Sequence, residues 1–152
     1  MRKDLLMIPV MSEDREIFIK MAIQHFKELN PKFVPFPDWK THYFESIQTN
    51  KNMYLRWIMM DQERVGFIIF GVENHRFLPR EIGMVYELYV VPAYRRKGIG
   101  KAVAVRAIEE LQALKVSKIQ LEVMVGNDKA AALWEKLGFR KVAERLVLQN
   151  RS

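Results

Sequence analysis

Residues 87–101 read Glu87-Leu88-Tyr89-Val90-Val91-Pro92-Ala93-Tyr94-Arg95-Arg96-Lys97-Gly98-Ile99-Gly100-Lys101. An apolar run stops at Pro92, which cannot donate to a strand ladder. A short basic turn follows, and Gly98-Ile99-Gly100 opens a stretch of helical spacing. The first N–H groups of a helix have no intrahelical acceptor, and its dipole makes that end positive. Two glycines there let a bulky anion approach the backbone. Arg95, Arg96, Lys97 and Lys101 add charge. The stretch therefore suits a pyrophosphate. It is not a Walker loop, because Gly100-Lys101-Ala102 lacks both the earlier glycine and the hydroxyl. It is not a dinucleotide fingerprint, because Val103 replaces the third glycine. On these residues alone, an anion cradle and an ordinary solvated basic turn are evenly matched.

Working outward, 84–91 reads as a long strand and Ile99–Lys115 as a helix, with Ile99, Val103, Ala107, Leu111 and Leu114 on one stripe. Tyr54–Met60 and Val65–Val72 are strand-like runs joined by Asp61-Gln62-Glu63-Arg64, a hairpin. Further back, Leu5–Val10 reads as a strand. A helix over 13–29 follows, with Ser12 expected to cap it and Glu13, Asp14 and Glu16 in its first turn. Pro31–Trp39, with three prolines and three aromatics, is irregular, and a second helix runs from Asp38 to about Gln48. Forward of the decisive stretch, 118–125 alternates as a strand. Asn127 caps a last helix through Lys136, Gly138 stops it, and Phe139–Leu148 reads as a final strand. The order predicts one α+β domain spanning 1–152, with a mixed, mostly antiparallel sheet and about four helices.

The bulk properties set outer limits. The 152 residues are 49% hydrophobic and 28% charged, which is globular and long enough for a proper core. There are no cysteines, so a disulfide scaffold, a thiolate nucleophile and Cys-based zinc are excluded. His25, His42 and His75 show no ligand spacing, and no metal is expected. Lys and Arg number 25 against 18 Asp and Glu, a net +7, which suggests an anionic partner without choosing one. The N-terminus is basic but carries only a short apolar run, and no stretch reaches the roughly 20 residues a membrane span needs. A cytoplasmic protein without membrane partners is expected. No helix-turn-helix pattern or basic stripe with interleaved aromatics is present, so nucleic acid is not expected either.

Leu121-Glu122-Val123-Met124-Val125-Gly126-Asn127-Asp128-Lys129-Ala130-Ala131-Ala132-Leu133-Trp134-Glu135-Lys136-Leu137-Gly138-Phe139 lies downstream. Together with the first stretch it resembles the GCN5-related N-acetyltransferase (GNAT) superfamily. Val90–Gly100 is similar to its V-x-P-x-(Y/F)-(R/Q)-x-x-G-x-G acetyl-CoA motif. Leu121–Phe139 is similar to its L-E-V-x-x-x-N-x-x-A-x-x-L-Y-x-K-x-G-F motif. Two motifs in register are far more specific than either alone. The likeness is tight over 84–139, and upstream it rests on element order.

The resemblance implies the acyl-CoA N-acyltransferase fold, with a splay between strands 84–91 and 118–125. It implies an enzyme that moves an acetyl group from acetyl-CoA to a primary amine, on a small molecule or a peptide, by direct attack in a ternary complex. Leu88, Tyr89 and Val90 would pair through their backbones with the pantetheine arm. Arg96, Lys97, Gly98, Ile99, Gly100 and Lys101, with Arg95 beside them, would hold the pyrophosphate. Asn127 would bond the pantetheine region, and Trp134 would pack against CoA or the core. An ammonium ion cannot attack, so a base is required. Glu122 and Glu87 are the two candidates, each of which could equally be an ordinary strand-face carboxylate. Trp134 stands where the family usually has an acid tyrosine, and indole N–H cannot protonate a thiolate. The thiolate would leave unprotonated, or Tyr89, Tyr86 or water would serve. That substitution keeps a non-catalytic acyl-CoA sensor of the same fold as the alternative.

Two expectations complete the reading. After Gly138 there is room for one good strand where the family usually has a hairpin. An uncovered edge is a liability, so a second copy of the chain, as a homodimer, or another segment is expected to cover it. Phe33, Phe36 and Trp39 could wall an acceptor site, but aromatics bury large areas wherever they can, and a plug beneath the loop is favoured.

Overall fold

The computed structural model of the chain describes residues 4–150; Arg2 and Lys3, the basic start noted above, lie outside them. Eleven elements follow one another: β1 (Leu6–Pro9), a 3₁₀ turn (Ser12–Asp14), α1 (Arg15–Leu29), α2 (Trp39–Gln48), β2 (Met53–Met60), β3 (Glu63–Asn74), β4 (Glu81–Val90), a 3₁₀ turn (Pro92–Tyr94), α3 (Ile99–Ala113), β5 (Ile119–Leu121) and α4 (Asp128–Lys136). The strands form one sheet in sequence order, antiparallel from β1 through β4, with β5 parallel to β4. Among the described residues, no helix is long and apolar enough to cross a membrane.

Helices cover both faces. Ile58, Met60, Ile68, Phe70, Val72 and Val85 pack with Ile99, Val103, Ala104, Ala107 and Leu111 of α3 and Trp134 of α4. On the other face Trp57, Phe67, Ile69 and Tyr89 pack with Phe18, Ile19 and Ala22 of α1 and Trp39, Phe44 and Ile47 of α2. The continuous apolar run of β3 follows from burial on both faces, where alternation would leave polar groups stranded. The β2–β3 hairpin turns on Asp61 and Gln62, both left-handed (φ 51° and 68°), the backbone of a two-residue type I′ turn.

Three expectations are corrected. Ser12 does not cap the first helix: its hydroxyl lies 3.3 Å from Gln48 Oε1, while Met11 N–H donates to Asp14 Oδ2 at 3.0 Å. Asp14 wins because its carboxylate also accepts from Trp57 Nε1 and Arg64 Nη2. Second, β5 stops at Leu121 and does not reach 125. Third, Phe139–Leu148 forms no strand, and Val142, Leu146, Val147 and Leu148 are exposed. A strand exists through its ladder, and β5, at the sheet edge, offers three residues of it. Among the described residues no segment pairs with that edge.

Candidate active site

The parallel pairing of β4 with β5 covers Gly83–Val85 and ends at Val85 opposite Leu121. Tyr86 is the next residue of β4, and it is a bulge: Ile69 pairs with Glu87 and Phe70 with Val85. A bulge bends its strand and increases local twist, so β4 turns away where β5 leaves it. The result is the splay expected between these strands.

The half of β4 beyond the bulge has β3 on one side only. Val91 N–H donates to Val65 C=O at 2.8 Å, which fixes the phase of the ladder. By alternation the backbones of Tyr89 and Glu87 also face β3, and those of Leu88 and Val90 face the gap. Tyr89's backbone is therefore already committed to the sheet, a correction to its grouping with Leu88 and Val90. The Val90 carbonyl accepts from Arg95 Nε at 2.7 Å. That leaves the Leu88 N–H and C=O and the Val90 N–H turned toward the opening.

The turn after β4 is built for approach. Arg96 (φ 64°) and Gly98 (φ 78°) are left-handed, and Gly98 N-caps α3. The first bond of α3 runs from Ala102 N–H to Gly98 C=O, so the N–H groups of Ile99, Gly100 and Lys101 precede the ladder. A Cβ built on Gly98 or Gly100 would meet nothing within 4 Å. The Ile99 side chain is in the core, so only its backbone is on offer. Arg96 and Lys101 are exposed, and Lys97 Nζ lies 5.2 Å from the Tyr94 ring. Arg95 departs from the expected cluster. Its guanidinium bonds Glu28 of α1 at 2.7 Å and lies over the Tyr89 ring, tying the end of β4 to α1.

The two candidate bases stand in different surroundings. Glu122 lies beyond the end of β5, paired to Arg145 at 3.0 Å, with both side chains more than 60% exposed. Glu87 is 26% exposed, and His25 Nε2 of α1 lies 2.6 Å from its Oε1. His25 is itself buried, in ring contact with Phe26, Phe67 and Tyr89. The Tyr43 hydroxyl is buried without a partner, and burial pushes its pKa up, with the Glu87 charge adding to the effect. Sequence reasoning passed over His25 as one of three scattered histidines. The signal lay in its spacing: Phe18, Ala22 and His25 share the buried stripe of α1.

The remaining candidates divide. Asn127 caps α4, its Oδ1 accepting from Ala130 N–H at 3.3 Å, which leaves its NH₂ as the group for a ligand. Trp134 is 7% exposed and meets Phe139 edge-on, so the indole serves the core. Tyr86 donates to Glu73 at 2.6 Å and Tyr89 to Glu28 at 3.3 Å. Burial raises both phenols, so each stays protonated and occupied by a carboxylate. Phe33 and Trp39 pack on Phe26 and Tyr43, the plug that was favoured, while Phe36 stands exposed.

The family model for the acetyltransferase (GNAT) family matches residues 20–139. The chain belongs to that family. Among GNAT relatives, an N-alpha-acetyltransferase of Sulfurisphaera tokodaii is 36% identical over 92 residues, covering 55% of this chain and 54% of the relative. The chain thus matches about half the length of such curated relatives. The solved structure of a transcriptional regulator from Bacillus halodurans C-125 superposes with a TM-score of 0.80 at 21% identity, covering 96% of this chain and 99% of that one. The aminoglycoside N-acetyltransferase AAC(6')-Iy in complex with CoA superposes at 0.75 with 14% identity, covering 97% and 95%. At such identities the superpositions speak for the GNAT fold alone.

Proposed function

We propose that this chain is an acetyl-CoA-dependent N-acetyltransferase whose acceptor is a peptide α-amine. One observation carries the reading: a splayed, bulged β4 leads directly into a helix N-terminus that two glycines leave open, with a half-buried carboxylate on the same strand. Similarity to an N-alpha-acetyltransferase supports the α-amine of a peptide as acceptor.

The residues present suit the donor. The N–H groups of Ile99, Gly100 and Lys101, with the charges of Arg96, Lys97 and Lys101, would take the pyrophosphate. Leu88 C=O and Val90 N–H would align the pantetheine arm, with the Asn127 NH₂ beyond them. A backbone N–H in the gap would face the thioester oxygen as it gains charge, the kind of preorganised donor that lowers an acyl-transfer barrier most. Acetyl-CoA supplies the acetyl group, and thiolate is its leaving group.

Glu87 takes a proton from the ammonium and frees the nitrogen lone pair. The nitrogen–carbon bond forms, the carbon–sulfur bond breaks, and the pair from that bond leaves on sulfur. The second nitrogen proton passes to the thiolate or solvent, and Glu87 returns its own to water. The sum is ammonium plus thioester giving amide, CoA thiol and one proton. No phenol is needed as acid, since a thiol pKa near ~8.5 makes thiolate a workable leaving group. Much of the rate comes from holding the two substrates together.

A thiol-release assay tests this with acetyl-CoA and peptides bearing free N-terminal alanine, serine or methionine, beside free lysine and an aminoglycoside. Thiol released one-for-one with acetylated peptide is expected. The sensor reading keeps one observation in its favour, the buried indole of Trp134 at the family's tyrosine position. CoA binding with no turnover of any amine would establish it instead.

A further inference from the structure

We infer that His25 is a positioning residue for Glu87, an inference that rests on Glu87 acting as the base. The Nε2–Oε1 distance is 2.6 Å, just under the roughly 2.7–3.2 Å of ordinary N–H···O bonds. An ionised carboxylate only accepts, so Nε2 carries the proton and donates. The imidazole has little freedom, because Phe26, Phe67 and Tyr89 hold the ring within 6 Å. A donor fixed in this way locks one carboxylate oxygen and leaves Oε2 for the acceptor ammonium.

The neighbours of His25 on the α1 stripe, Phe18, Ile19 and Ala22, are apolar, so it is the polar member of that buried stripe. The other charged or titratable groups around the pair are Glu28 and Arg95, bonded to each other; Tyr89, whose hydroxyl meets Glu28; and Tyr43, whose hydroxyl is unpartnered. None of them bonds Glu87, so His25 is the contact that sets its rotamer. Burying a polar group on an apolar stripe costs stability unless its bond is made, and here the bond goes to the candidate base.

A double-mutant cycle decides it, with acetyl-CoA and the N-terminal alanine peptide as substrates. H25L is expected to lower kcat by about tenfold to a hundredfold, the scale of a small misplacement of a reacting group. KM for acetyl-CoA should stay put, and H25Q, which keeps a donor, should recover most of the loss. In an E87Q background H25L should change little, since residues acting as a unit are not additive. Unchanged kcat in H25L, or an equal loss in both backgrounds, would overturn the inference while leaving Glu87 in place. Full activity in E87Q would remove Glu87 and the inference with it. Nitrogen-15 NMR of the histidine rings covers the case in which H25L fails to fold or no peptide turns over. His25 of the unsubstituted protein should be held with Nε2 protonated, and that resonance should move in E87Q. A ring protonated on Nδ1 alone, or unmoved by E87Q, would refute the proposal.

Discussion

Glu87 on β4 and Glu122 just past the end of β5 are the same residue type, yet their surroundings differ. Glu122 is paired with an exposed arginine in water, where such pairs contribute little. Glu87 is shielded and fixed by a buried imidazole. Substituting Glu87→Gln should lower kcat/KM by about 10²–10⁴-fold, the usual span for a lost general base. Glu122→Gln should stay within about threefold, a difference under 1 kcal/mol. Steady-state thiol release on both variants checks this. Asp14 supplies a second test. Its carboxyl lies below the usual range, held there first by Met11 N–H and then by Trp57 and Arg64, against the opposing effect of burial. A lowered folded pKa means that its stabilisation is present above the ordinary carboxylate pKa and is lost as pH falls through the lowered value. Asp14→Ala should therefore cost about 1–3 kcal/mol in urea unfolding at pH 7, with the gap to the unsubstituted protein closing in acid.

At the scale of elements, α3 and the hairpin make separable predictions. Gly100 has open space around it, so Gly100→Val should leave the melting temperature of the ligand-free protein within a few degrees. The new side chain would stand where the pyrophosphate approaches, and CoA affinity by calorimetry should fall at least about tenfold, roughly 1.4 kcal/mol. Loss of folding instead would show that the helix start is packed. In the type I′ turn, Gln62 has a φ of 68° that glycine adopts without penalty. Gln62→Gly should raise stability by about 0.5–1 kcal/mol, read from the denaturant midpoint. The elements themselves were legible to within a few residues wherever one face of a periodic pattern is buried, as on α3, or where the run is apolar throughout, as on β3. Phe139–Leu148 reads as a strand and forms none, because local sequence reports a willingness to form a strand and says nothing about whether a partner is there.

For the whole molecule, ligand binding couples to stability through the gap. A ligand that binds only the folded chain stabilises it by about 2.7 kcal/mol at a hundred times its Kd. Saturating CoA should therefore raise the melting temperature by several degrees, and the Gly100→Val protein, with its affinity down at least about tenfold, should lose about half of that shift or more. Duplex DNA at matched charge should not reproduce it. An equal shift with DNA would mean that the basic turn binds polyanions generally. The architecture makes the coupling direct, because the glycine turn joins β4, shared by both cores, to α3, which packs on one of them.

Sequence alone determined the order of elements through α4 and offered a candidate anion cradle, because both depend on local chemistry: glycines beside a basic turn, a proline that ends a strand, and spacings that put apolar groups on one face. It also offered two carboxylates as candidate bases. Which of them is shielded, that Arg95 serves α1 and not the turn, that Tyr89's backbone belongs to β3, and that His25 meets Glu87 across 62 residues were decided only by the tertiary structure. These are matters of register and of which side chains meet across the sheet. A bulge of one residue at Tyr86 changes that register without leaving a mark in the local sequence.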